Sequence, residues 1–161
     1  MNQAMTERSV THATFVLERT YEASPARVFK AWSDPEIKPR WFRGPDEWPR
    51  GKYELDFRVG GRERLAGGPP GGTVHLYNAI YQDIVPNERI IIAYDMHLDD
   101  RRISVSLMTV EFRPEGKGTR LTFTEQGAFL DGWDEIGGRE RGSIQLLDKL
   151  GRELERQARE D

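Results

Sequence analysis

Two side chains of this chain stand where alternation could turn a charge inward. In "TRLTFTEQ" (119–126), Leu121, Phe123 and Glu125 share one side of an extended segment. If the two apolar residues face the interior, Glu125 does too. In "VTHATFVLERTYE" (10–22), Phe15, Leu17, Arg19 and Tyr21 share a side in the same way. A desolvated carboxylate can act as general acid or base, or it can orient the polar end of a ligand. Buried charges must be paired, so Glu125 and Arg19 are the candidate catalytic residues, with Asp56 or a tyrosine as further options.

Other chemistry finds less support. Six glycines fall within "DFRVGGRERLAGGPPGG" (56–72), but no G-x-G-x-x-G is present and no helix pattern follows. "GKGT" (116–119) has the lysine of a phosphate loop but Glu111 where the earlier glycine belongs, and it lies between two strand patterns. Gly60 or Gly61 reads instead as the positive-φ residue of a tight turn. His12, His75 and His97 are widely spaced on strand patterns, with no paired ligand spacing, so no metal is expected. With no cysteine in the chain, thiolate ligands, disulfides and a cysteine nucleophile are excluded. No serine stands in a G-x-S-x-G elbow. No cofactor is expected.

Aromatic residues give a broader signal. Tyr53 and Phe57 share the inner parity of "YELDFRV" (53–59), and Tyr94 and Met96 that of "RIIIAYDMHL" (89–98). Tyr77, Phe123, Trp41, Phe42, Phe129 and Trp133 add to them. Leu147 lies on the apolar face of the C-terminal segment. Apolar walls with a few tyrosine hydroxyls are the usual build of a small-molecule site. Any one of these residues is also ordinary core. Trp41 and Phe42 are expected at the mouth or floor of such a site, with Phe129 and Trp133 closing its other end.

These side chains need elements to position them. The chain has 161 residues, is 37% hydrophobic and 32% charged, and carries a net charge of -3. That suits a single domain at 10–160 after a loose segment 1–9. The near-neutral balance argues against a nucleic-acid binder, and no apolar run is long enough to span a bilayer. The start lacks the apolar core of a signal peptide, so a cytoplasmic protein is expected. Ser24 followed by Pro25 marks a helix start, with Val28, Ala31 and Trp32 on one face. Ser33 and Glu36 match a capping box for a second short helix over 34–42, bent or shortened by Pro39. Strands are expected at 10–22, 53–59, 73–85, 89–98, 102–112 and 119–126, with a short piece at 62–66. From 139 onward the period becomes helical, with Ile144, Leu147, Leu150 and Leu154 on one face. Strand, two short helices, meander and long helix make an α+β fold with helices on one side of an antiparallel sheet.

"ASPARVFKAWSDPEIKPRWF" (23–42), "LDFRVGG" (55–61), "DIVPNERIIIAYDM" (83–96), "SVSLMTVEFRPEGKGTRLTFTEQGAFLDG" (104–132) and the helix after "GGRERG" together resemble the START-like helix-grip (SRPBCC) superfamily. Within it they resemble the branch named for homology to an activator of a heat-shock chaperone's ATPase, over about residues 12–155. The resemblance implies a curved sheet of six to seven strands around a long C-terminal helix, with an internal cavity. It also implies small hydrophobic ligands, which in relatives are lipids, polyketides or plant hormones. The chaperone-activating role belongs to eukaryotic relatives with an additional domain, which is not expected in this chain. In that fold the first and last strands are neighbours, so Arg19 and Glu125 are expected to pair at the cavity. The alternative is an ordinary exposed ion pair where sheet twist turns both outward. Three functions follow: a binder of an unidentified hydrophobic or amphipathic molecule, a cyclase- or hydrolase-type enzyme in the same cavity, or a chaperone or regulator interaction module. An exposed sheet edge leaves room for a homodimer.

Overall fold

The computed structural model describes residues 7–160. Most of the segment expected to be loose, residues 1–6 of 1–9, lies outside the described residues. Ser9 donates its backbone N–H to Asp131 at 2.8 Å, and Arg8 pairs with the same carboxylate.

The chain runs β1 (Val10–Tyr21), α1 (Pro25–Ser33), α2 (Lys38–Trp41), β2 (Lys52–Leu55), β3 (Arg62–Gly67), β4 (His75–Val85), β5 (Arg89–Leu98), β6 (Arg101–Glu115), β7 (Gly118–Leu130) and α3 (Ile136–Glu160). The seven strands form one antiparallel sheet in the order β1-β7-β6-β5-β4-β3-β2. The meander explains most of that order, because each short turn returns the chain beside the strand it has just left. β1 is the exception. It lies against β7, with Phe15 opposite Glu125 and Leu17 opposite Phe123. Register irregularities at Tyr81/Asp83 and Met96/His97 add local twist to an already twisted sheet. The helix-grip architecture follows: the sheet curves round α3, which buries Leu147, Leu150 and Leu154. Tyr21 donates its hydroxyl proton to the Leu147 carbonyl at 2.8 Å and ties β1 to α3.

Local chemistry sets the helix starts. Ser24 caps α1 by accepting from the Arg27 N–H, and Pro25 occupies the first turn. The expected capping box at Ser33 does not form. Ser33 is the last residue of α1, and Asp34 accepts the Glu36 N–H instead at 2.8 Å. The second helix shrinks to the single turn Lys38–Trp41. The expected strand over 53–59 also stops early, at Leu55. From Asp56 to Gly61 the chain turns, and Gly60 adopts φ +84°. Val59 is therefore 58% exposed instead of continuing the inner row. β6 and β7 run longer than their apolar patterns, to Glu115 and Leu130, because backbone pairing with the neighbouring strands continues to those residues.

The core lies between the concave sheet face and the helices. Trp32 and Trp41 meet edge to face at 4.8 Å, and Trp41 donates its indole N–H to the Ala31 carbonyl. Phe29 packs edge-on against Phe57 and Phe112.

Candidate functional site

A hollow of about 660 Å³ lies between the concave face, α2 with the segment after it, and the first half of α3. That is within the usual range for a small-molecule site. Along α3 its lining runs from Gly138 to Lys149, about 16 Å at the helical rise. Exposed Pro45, Pro49 and Arg50 line the hollow at its mouth.

Eight of the residues singled out from sequence line it: Trp41, Phe42, Tyr53, Tyr77, Tyr94, Met96, Phe123 and Leu147. The alternation of β2, β4, β5 and β7 turns five of these inward, α2 supplies Trp41 and its end Phe42, and α3 supplies Leu147. Phe42 meets Tyr77 edge-on at 4.9 Å, and Tyr77 meets Tyr94 at 4.9 Å, so the aromatic wall is continuous. Gly142 also faces the hollow, and a Cβ added there would meet no atom within 4 Å.

Four others do not line it. Phe57 leaves with the turn after Leu55 and packs against Phe29 and Tyr81. Phe129 is buried beside the Arg139 guanidinium, 5.3 Å away. Trp133 follows Asp131 and Gly132, both at positive φ, and swings outward. It is 39% exposed beneath Arg101, whose guanidinium carbon lies 3.8 Å from the ring centre. Glu125 is fully buried but sits behind Tyr94.

The expected Arg19–Glu125 pair does not form. Arg19 stands opposite Leu121, and Phe15 is the residue opposite Glu125. Four residues of strand, about 13 Å, separate the two side chains. Arg19, half-buried, lies near exposed Asp148 at 3.7 Å. Glu125 takes its cation from α3. Arg139 donates to it from Nη1 at 3.1 Å, Tyr94 donates its hydroxyl proton at 2.7 Å, and Ser106 donates at 3.2 Å. The other guanidinium nitrogen of Arg139 donates to Ser104 at 2.8 Å and Asp134 at 2.6 Å. Burial works against the Arg139 charge, but Tyr94, Glu125 and Asp134 outweigh it and raise its pKa. Tyr94 and Arg139 both line the hollow, so this cluster forms part of its wall.

A second buried cluster lies deeper. Lys38 and Glu63 are both fully buried and pair at 2.7 Å. Glu63 also accepts hydroxyl protons from Tyr81 at 2.8 Å, from Tyr53 and, more distantly, from Tyr77 at 3.4 Å. The Lys38 ammonium sits 4.4 Å from the centre of the Phe42 ring. Burial lowers the Lys38 pKa, opposed by Glu63. Burial, then Glu63, raises those of Tyr53, Tyr77 and Tyr81. Neither Lys38 nor Glu63 lines the hollow; Tyr53 and Tyr77 do.

Sequence reasoning missed Lys38, Glu63 and Arg139. Two of them carried a signal. In "RERL" Glu63 shares the parity of Leu65, the same argument that pointed to Glu125. Arg139 stands four residues before buried Ser143 and eight before Leu147, which puts it on the inner face of α3. Among the described residues, no group of three or more His, Cys, Asp or Glu is placed to hold a metal ion. No helix among them is long and apolar enough to cross a membrane.

The geometry has relatives. A family model described as Activator of Hsp90 ATPase homolog 1-like protein matches residues 22–155. A solved structure from Rhizobium leguminosarum is 51% identical, with a TM-score of 0.89 over 93% of this chain and 99% of that one. One from Rhizobium loti is 47% identical, with a TM-score of 0.84 over 90% and 99%. A third, from Chromobacterium violaceum, is 27% identical, with a TM-score of 0.73 over 86% and 94%. No curated protein matches the chain.

Proposed function

We propose that this chain, which belongs to the Activator of Hsp90 ATPase homolog 1-like family, binds a small hydrophobic or amphipathic molecule in the hollow beside α3. One observation carries this reading: about 660 Å³ of space walled by Trp41, Phe42, Tyr77, Tyr94, Phe123 and Leu147. Well-packed interiors have few voids larger than a water molecule, so a space of this size and lining suits a guest. The polar groups on the wall are few and fixed. Tyr94 and Arg139 are held by Glu125, Ser104 and Asp134, which gives a ligand a rigid partner surface.

The enzyme reading has weaker support. Glu125 already accepts from three donors and would have to reach past Tyr94 to touch a guest. The interaction-module reading draws on the family's description and on Val16, Ile80, Val105 and Leu107, which are exposed on strands.

Gly142 offers a direct test, because it lines the hollow and a Cβ added there meets no atom within 4 Å. Nile red, a neutral apolar dye, is expected to bind the wild-type chain and fluoresce. Gly142→Trp fills the space, so dye binding falls at least about tenfold while the fold persists, since tryptophan is a better helix former than glycine. Unchanged dye binding in Gly142→Trp would sink the reading.

A further inference from the structure

The hollow has two polar ends, and only one of them is satisfied. At the Arg139 end each terminal guanidinium nitrogen has two partners, and two carboxylates, Glu125 and Asp134, balance one charge. An anion arriving there would meet a site already negative in sum. The other end differs. Arg43, Arg50 and Lys149 line the hollow at its mouth. Among the described residues one carboxylate lies within ion-pair distance of them: Asp46, 3.2 Å from Arg43, 3.8 Å from Lys149 and 72% exposed, with Glu47 farther off. Arg50 has no acidic partner within ion-pair distance among the described residues. The Nε–H of Arg43 is buried and has no acceptor among the described residues. Lys149 donates to the carbonyls of Arg43 and Gly44, at 3.2 and 2.8 Å, rather than to an acid. A buried donor without an acceptor is costly, and cations outnumbering acids attract an anion. This local excess stands out in a chain of net charge -3.

We propose that the guest is an organic acid: an apolar body lying along α3 against the aromatic wall, with an anionic head held at the mouth by Arg43, Arg50 and Lys149. The proposal rests on the small-molecule reading and adds the ligand's charge and direction to it. The head would accept the Arg43 Nε–H and share the charges of Arg50 and Lys149. Hydrogen bonds between ionised partners are the strong ones. Burial lowers the Lys149 pKa, with Asp46 opposing, and an anion beside it would act in the same sense as Asp46.

Calorimetry of the full chain with decanoate and with decanol tests this, since the two probes share an apolar body and differ in the head. Decanoate is expected to bind about tenfold more tightly at low salt, with the preference shrinking as salt rises. Arg43→Met, Lys149→Met and Arg50→Met each reduce that preference. Arg50, exposed and without an acidic partner, is the variant least able to disturb folding. Decanol binding in each variant checks that the hollow is intact. Equal affinity for the two probes, or a preference that survives all three substitutions, overturns the proposal. If both probes bind equally and Gly142→Trp abolishes both, the hollow is a binding site and only the charge assignment fails. If Nile red binds but neither probe does, the proposal again falls alone. If Nile red, decanoate and decanol all fail to bind, the small-molecule reading falls with it.

Discussion

The two buried ion clusters use the same parts in different settings. Lys38–Glu63 is sealed: both members are fully buried, and the remaining partners are tyrosines. Glu125–Arg139 sits at the wall: Arg139 is 11% exposed in its side chain, faces the hollow, and has a second acid in Asp134. A buried pair attracts strongly but also loses the hydration of both ions, so its net contribution is small while the loss of one partner is costly. In the sealed cluster neither charge reaches the surface and, among the described residues, Lys38 has no second acid in reach, whereas Arg139 is partly exposed and keeps Asp134. The first is therefore built for shape, holding α2 onto β2, β3 and β4. The second positions donors at a surface that a guest can touch.

The largest expected effect is alkaline. All five tyrosines of the chain have raised pKa values, chiefly from burial. Folded, they keep their protons, while the unfolded chain gives them up above about pH 10. Their contribution is fully present below that pH and is lost as pH rises, by about 1.4 kcal/mol per pH unit for each phenol. Lys38 acts the other way: its lowered pKa makes its own contribution grow as pH rises toward the unfolded lysine value. Three tyrosines against one lysine leave the sealed cluster dominant in alkaline loss. Phenolate absorbance should therefore appear in one step with loss of circular dichroism; gradual titration of a still-folded chain would contradict the burial argument.

Next in size is Lys38→Met. It leaves Glu63 buried without its cation and is expected to lower stability by about 3–5 kcal/mol in urea unfolding. Adding Glu63→Gln should return a large part of that loss, because the remaining tyrosines can donate to the amide oxygen. Glu125→Gln should cost about 2 kcal/mol, since Arg139 keeps Asp134. If Glu125→Gln costs as much as Lys38→Met, the contrast between sealed and wall clusters is wrong. Arg19→Ala gives the smallest effect, within about 0.5 kcal/mol, because its ion pair is a long one, 3.7 Å, to exposed Asp148.

Much of the frame was legible from residue pattern. Ser24–Pro25 announced α1, the apolar alternation announced the long strands, and the period of Leu147, Leu150 and Leu154 announced α3. The misreadings sit where a local rule met a stronger competitor. Ser33 with Glu36 fits a capping box, but Asp34 stands between them and its carboxylate takes the free amide. The alternation of 53–59 fits a strand through Val59, but Gly60 and Gly61 allow the chain to turn from Asp56.

The sequence by itself determined most of the inward residues of the long strands and of α3, because parity on a strand and a period of about 3.6 on a helix are local properties. It thereby placed Glu125 inside, and the same logic applied to "RERL" places Glu63 there. Pairing was a different matter. Arg19 and Arg139 both carried inward signals, and nothing in spacing said which would reach Glu125. The β1–β7 register put Phe15 opposite the carboxylate, and the crossing of α3 brought Arg139 to 3.1 Å. The size of the hollow is likewise tertiary. It depends on how far α3 stands from the sheet, and on Gly138 and Gly142 leaving their positions empty. Charge partners and empty space are both set by distances between elements far apart in the chain, and no local period encodes those distances.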